Sequence, residues 1–331
     1  MPGVVVVTGA SAGVGRAVVE EFARNGFDIA LLARDPVRLE TAASEVRGLG
    51  GGGRVLAIPT DVADSQAVDA AAERVERELG PIDVWVNVAM ATVFAPVSAL
   101  DAAEFQRGTA VTYLGQVHGT MAALRHMRLR NRGSIVCVGS ALAYRSVPLQ
   151  SVYCGAKFAI RGFMNALRSE LYHDDCAVTL TEVDLPAINT PQFDWARNKT
   201  GQRAQPVPPI FQPEVAAQAI YWGALHPRRQ IWVGFPTIKA ILANLVAPGL
   251  LDRLLSGTGY TSQLTEEKIT EMPGNLFEPV GGAYGSHGRF DRDAKPCTNV
   301  VVTSRQRDFA VAAIAIGTAI AAWRWLTGSR R

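Results

Sequence analysis

The chain has 331 residues, enough to bury one large core, or a core with a modest appendage. Apolar residues make up 48% of it and charged residues 19%, a balance that suits a globular protein built on a buried sheet. The net charge is only +3 and no basic stripe carries interleaved aromatics, so the composition argues against a nucleic-acid partner.

In chain order, the first element is Val4-Val-Val-Val-Thr8, a fully buried strand of the parallel-sheet type. Gly9, Gly13 and Gly15 follow in Thr-Gly-Ala-Ser-Ala-Gly-Val-Gly and open a helix whose apolar face holds Val18, Val19, Phe22 and Ala23. Glycines at such a turn allow a tight bend and close backbone approach to a pyrophosphate. The helix N-terminus adds free N–H groups for phosphate oxygens. The strand before and the helix after the turn supply the context that a lone glycine-rich stretch lacks.

The second strand, 28–33, ends in Ala33 and Arg34. A carboxylate at that end would bind a ribose diol and repel a 2′-phosphate. Here a guanidinium stands next instead, suited to bidentate phosphate contact. The sequence therefore favours NADP(H) over NAD(H), with a solvated loop arginine as the alternative. Strands are expected at 54–59, 84–88, 133–138, 177–183 and 230–233, alternating with helices, which makes a doubly wound α/β sheet of about seven parallel strands. Leu49-Gly-Gly-Gly-Gly53 reads as a flexible joint. The four cysteines, at 137, 154, 176 and 297, lack metal or redox spacing and read as reduced thiols, in keeping with a cytosolic face. No metal site and no leader ahead of the first strand are expected.

The run Gly133-Ser-Ile-Val-Cys-Val-Gly-Ser140 is a buried strand that ends on a hydroxyl, at the carboxyl edge where open α/β sheets place their ligands. Thirteen residues on, Tyr153 and Lys157 stand four apart, on one face of a helix. An ammonium beside a phenol favours the phenolate. The spacing predicts a tyrosine drawn from its ordinary value of about 10 toward neutrality, able to exchange a proton with a substrate oxygen.

Taken in order, TGASAGVG at 8–15, Asn87-Val-Ala-Met90, Ser140, Tyr153, Lys157 and Pro186-Ala-Ile-Asn-Thr190 resemble the pattern of the short-chain dehydrogenase/reductase family over residues 3–235. The resemblance implies a Rossmann-type fold and interconversion of a carbonyl and an alcohol. In that scheme Tyr153 is the general acid or base, Lys157 lowers its pKa and binds the nicotinamide ribose, and Ser140 holds the substrate oxygen. Cofactor contacts would come from Gly9, Ser11, Gly13, Val14, Gly15, Arg34, Asp61, Val62, Asn87, Ala89, Tyr153, Lys157, Pro186, Ile188 and Thr190. Asp61 would meet the adenine, with a helix N-cap as its plainer reading. The resemblance also implies a homo-oligomer formed through the helix around 102–130 and the one carrying Tyr153. Four positions depart from the pattern. Val88 and Met90 replace Asn and Gly, Ala187 replaces Gly, and Thr112 stands where a fourth catalytic Asn is usual. That Asn acts through its backbone carbonyl, which a threonine retains.

Beyond residue 235 the resemblance thins. Ile238–Leu255 is amphipathic and strongly apolar, and three placements are open to it: over the substrate cleft, on another subunit, or on a membrane surface. Residues 256–300 read as irregular coil or linker. The Ala-rich run from Phe309 to Trp323 carries no charge but spans only about 22 Å, against a hydrocarbon core of roughly 30 Å. Extended to Leu326, with Arg324 snorkelling, residues 309–326 are expected to anchor the C-terminus in a membrane; a helix packed on the enzyme is the alternative. The domains expected are therefore 1–235 for catalysis, 236–303 for the extension and 304–331 for the anchor. The expected function is NADP(H)-dependent oxidoreduction of a lipophilic small molecule, since Phe193, Trp195 and Phe211 mark the specificity segment. The rival is a membrane-associated nucleotide sensor or scaffold with little turnover.

Overall fold

A computed structural model describes residues 3–51, 53–309, 312 and 313. Seven parallel strands, β1 (Val4–Thr8), β2 (Asp28–Ala33), β3 (Val55–Pro59), β4 (Ile82–Asn87), β5 (Ser134–Ser140), β6 (Thr179–Leu185) and β7 (Gln230–Val233), stand in the sheet with β8 (Val301–Thr303). Their order is β8-β7-β6-β5-β4-β1-β2-β3, and β8 runs antiparallel to β7, with Trp232 opposite Val302. Each expected strand is present to within a few residues, while β8 was not foreseen.

The strands read as near-continuous apolar runs because both sheet faces are covered. Val5 and Val7 of β1 point into one core and Val4 and Val6 into the other, the alternation that a pleated strand imposes. On the first face pack α1 (Gly13–Arg24), α2 (Pro36–Gly48) and α7 (Pro213–Leu225); on the second, α3 (Ser65–Glu78), α5 (Gly115–Leu129) and α6 (Ser151–His173). α4 (Ala102–Thr109) leads into α5 through a π-helical turn, Ala110–Leu114.

The strand order reverses between β1 and β4, so the crevice at their carboxyl ends is a topological switch point. The segment after β7 forms α8 (Phe235–Val246) and α9 (Pro248–Thr261). Their apolar residues divide, with Ile241 buried and Leu242, Leu245, Val246, Leu250 and Leu254 exposed. Residues 256–300 are more ordered than coil or linker: α9 runs to Thr261, Leu264–Lys268 pairs with Gln202–Ala204, and Ala294–Lys295 pairs with Ile210–Phe211. Among the described residues no helix is long and apolar enough to cross a membrane. Most of the expected anchor, 309–326, lies outside the described residues.

Candidate active site

A cavity of about 940 Å³ opens at the switch point. Its floor is the turn between β1 and α1, where Gly9, Ser11, Gly13, Val14 and Gly15 all line it. Gly9 and Gly13 have φ of +69° and +58°, the left-handed region that glycine enters without strain. A Cβ on Gly15 would lie 2.2 Å from the Gly9 carbonyl oxygen, so the helix could not start so close to the strand with any side chain there. α1 has no side-chain N-cap, which leaves its first turn of N–H groups for other acceptors.

Ser140, Tyr153 and Lys157 line the same cavity. Ser140 ends β5, and its Oγ accepts from the Leu142 N–H at 3.1 Å. Tyr153 and Lys157 sit one turn apart near the start of α6, with Lys157 Nζ 5.4 Å from the tyrosine ring centroid. Lys157 is 1% exposed, and its Nζ donates to the Val138 carbonyl at 2.6 Å. Burial lowers its pKa to about 8. Burial also pushes the Tyr153 phenol above its ordinary value, although the Ser140 hydroxyl beside it acts the other way. The expected downward pull on Tyr153 is therefore not met in the protein alone. Desolvation of the buried phenolate is the dominant cause.

Two predicted residues do not line the cavity. Asn87 is fully buried: its Oδ1 accepts from Trp85 Nε1 at 2.9 Å and its Nδ2 donates to Thr120 Oγ1 at 3.1 Å. Its side chain braces β4 against α5 rather than facing a ligand. Thr112 is likewise buried, and its Oγ1 both accepts from the Ala91 N–H and donates to the Ala91 carbonyl, each at 2.9 Å. It lies within the π turn, so the helix distortion persists with threonine in place of asparagine. Gln116, which the sequence reading passed over, donates from Nε2 to the Val138 carbonyl at 3.1 Å, the acceptor that Lys157 also uses. Its Oε1 is buried without a protein partner.

Val88, Ala89 and Met90 line the cleft, with the Val88 and Ala89 N–H groups tied to Thr8 Oγ1 at 3.0 and 3.2 Å. Pro186, Ile188 and Thr190 close the far side, and Ala187 is accommodated without a positive φ. Asp61 and Val62 also line the cavity. Asp64 caps α3, which removes the N-cap reading of Asp61; Asp61 instead pairs with Arg107 at 2.5 Å.

Arg34 has partners that the sequence did not suggest. It lines the cavity, yet its guanidinium donates to the carbonyls of Asn275 at 2.5 Å and Phe277 at 2.9 Å, with Leu276 at 3.4 Å. Arg107 Nε donates to the same Leu276 carbonyl at 3.1 Å. Leu276 is fully buried in the cluster that holds Val62 and Val111. Farther along, Arg38 donates to the Val280 carbonyl, and the Gly13 N–H donates to the Gly285 carbonyl at 3.0 Å. The extension thus runs across the outside of the cleft. Its apolar residues, Leu276, Phe277, Val280 and Tyr284, are scattered among glycines, Pro279 and Glu278 and show no period from which to foresee this.

The family described as short chain dehydrogenase matches residues 3–200. An uncharacterized oxidoreductase of Bacillus subtilis, YxnA, is 30% identical over 288 residues, covering 86% of this chain and 80% of its own. A 3-dehydrosphinganine reductase of Danio rerio is 33% identical over 199 residues, 59% of either chain. Among solved structures, an alcohol dehydrogenase from the archaeon Thermococcus sibiricus complexed with 5-hydroxy-NADP superposes with a TM-score of 0.56 at 26% identity, covering 66% of this chain and 89% of that one. A metagenomic short-chain oxidoreductase in complex with NADP gives the same TM-score at 25% identity, covering 67% and 90%. With the glycine-rich turn, Ser140, Tyr153 and Lys157 around one cavity at the sheet's switch point, the chain belongs to the short-chain dehydrogenase/reductase family and is an oxidoreductase.

Proposed function

We propose that this enzyme interconverts a carbonyl and an alcohol on a lipophilic small molecule, using NADP(H). The observation that carries the reading is the convergence of Ser140, Tyr153 and Lys157 on the cavity floored by the glycine-rich turn. The cradle fits a dinucleotide. The N-terminus of α1 has no side-chain cap, although its Gly13 N–H is taken by the Gly285 carbonyl, and it faces the cavity across glycines packed too tightly for side chains, which suits a pyrophosphate. A bound nicotinamide supplies or takes the hydride.

The chain's own residues manage the proton. Ser140 Oγ holds the substrate oxygen, and Tyr153 gives that oxygen a proton in reduction or takes it in oxidation. The Lys157 ammonium stabilises the phenolate left after transfer, and a reorientation from the Val138 carbonyl toward a ribose hydroxyl would bring it into play. Thr112 keeps the π turn, and with it the backbone carbonyl through which a water would link to Lys157. Thr190 would hold the carboxamide.

Arg34 supports the preference for NADP(H). Its carbonyl partners take hydrogen bonds but do not neutralise its charge, and burial together with nearby Arg107 already lowers its pKa. A phosphate dianion there would relieve that crowding of cations. Phe193, Trp195 and Phe211 line the other end with Leu251 and Leu255, which supports a lipophilic substrate. Exposed Phe105, Met121, Leu129 and Phe158 on α4, α5 and α6 support a homo-oligomer through those helices.

The test is to follow NADPH oxidation by the purified enzyme over a panel of ketones, aldehydes and steroids. Saturable turnover with the apolar members, and faster turnover with NADPH than NADH, is the expected result. Tight NADPH binding without turnover across the panel would instead favour a nucleotide sensor.

A further inference from the structure

We propose that residues 275–285 form the outer wall of the dinucleotide site, a strap that encloses bound cofactor and must open before cofactor leaves. The proposal rests on the reading that the cleft binds a nicotinamide dinucleotide. Asn275, Pro279 and Val280 line the cavity from outside while Gly9 and Gly13 line it from within, so the space for a ligand lies beneath the strap.

Four attachments hold it. At one end, Leu276 is fully buried and its neighbours' carbonyls accept from Arg34. Midway, the Val280 carbonyl accepts from Arg38. Next to the far end, Tyr284 packs edge-on against Trp195 with ring centroids 4.6 Å apart, and the Arg38 guanidinium lies 5.0 Å from the Trp195 centroid and 5.4 Å from that of Tyr284. At the far end the Gly285 carbonyl accepts from Gly13, at the first turn of α1. Trp195 belongs to the substrate-side loop and Arg38 to α2, so this aromatic clasp ties together elements on the two sides of the cleft.

The attachments are unequal. Leu276 would have to leave the core, whereas Tyr284 and Gly285 detach without exposing any fully buried side chain. Between them Phe277, Glu278, Pro279, Gly281 and Gly282 are exposed, and Gly282 has φ of +127°. Segments with few buried contacts open at a small fraction of the global unfolding free energy. The strap is therefore arranged to lift between two buried anchors, Leu276 and Phe290, while the Arg38–Val280 bond and the clasp around Tyr284 let go. A ligand enclosed in this way leaves only as fast as the clasp opens.

Release of NADPH from the full-length enzyme, followed by loss of its protein-enhanced fluorescence on mixing with excess NADP⁺, tests this. Replacing Tyr284 by Ala removes the edge-on ring contact and the cation–π contact, and should speed release about tenfold. Tyr284→Phe keeps the ring and should release at the wild-type rate. Leu276→Ala, at a buried anchor, should also speed release. Identical release rates in wild type, Tyr284→Ala and Leu276→Ala would overturn the strap while leaving the oxidoreductase reading intact. A wild-type enzyme that fails to bind NADPH would overturn the reading beneath it.

Discussion

Truncating Leu276 to Ala asks whether the extension is part of the folded core or merely lies on it. Leu276 is 0% exposed and shares a cluster with Val62 and Val111. Removing a fully buried leucine side chain costs about 2–5 kcal/mol, the lost transfer energy plus the cavity left behind. Unfolding entropy of about 2.1 cal/mol/K per residue gives roughly 0.7 kcal/mol/K for a chain of this length, so the midpoint should fall by about 3–7 °C. The assay is scanning calorimetry of the full-length enzyme, with Phe277→Ala as control. Phe277 is 44% exposed, and its truncation should stay within about 0.5 kcal/mol. If the two variants melt alike, Leu276 is not a core residue and the strap opens independently of the sheet.

Three further outcomes follow from the charges in and around the cleft. Arg34→Ala should weaken NADPH binding about tenfold more than NADH binding in parallel titrations; equal losses would mean that Arg34 serves only the strap carbonyls. Carbonyl reduction should decline as pH rises through about 8, because the depressed Lys157 pKa means that its ammonium is lost there; a rate that is flat to pH 10 would remove Lys157 from the step. His287 bridges Glu214 Oε1 at 2.8 Å and Asp291 Oδ1 at 2.6 Å. Partial burial opposes its charge, yet the bonds to those carboxylates raise its pKa. The stabilisation is thus full below the ordinary imidazole value and lost as pH rises through the raised one. His287→Ala should flatten the thermal midpoint over that window, and a wild-type midpoint that rises with pH there would refute the linkage.

The sheet was legible because buried parallel strands write themselves as apolar runs, Val4–Val7 most plainly, and because the glycines at 9, 13 and 15 stand between such a strand and an amphipathic helix. Ser140, Tyr153 and Lys157 line one cavity, a convergence suggested by their spacing only together with the glycine-rich turn and the family resemblance. Side-chain direction was not legible. Asn87 turns inward to Trp85 and Thr120, and nothing in Asn-Val-Ala-Met distinguishes that from facing a cofactor. The strap escaped notice for a related reason. Most of its bonds run from backbone carbonyls to arginines more than two hundred residues away, and a carbonyl carries no sequence signal. β8 was missed because three residues of an edge strand, Val301–Thr303, are too few to show a period. The direction of the phenol's shift was not legible because spacing gives the proximity of Lys157 but not the burial of the phenol, which pushes its pKa up.

Tyr153→Phe bears most directly on the claim that this cleft performs proton-coupled hydride transfer. The substitution removes one oxygen and keeps the ring, so NADPH should bind within a few-fold of wild type by fluorescence titration. Turnover of the best carbonyl substrate should fall about 10²–10⁴-fold, the usual contribution of a positioned general acid. Retained binding with that loss places the proton on Tyr153. Turnover within a few-fold of wild type, on an enzyme that still binds NADPH, would contradict the account at its centre.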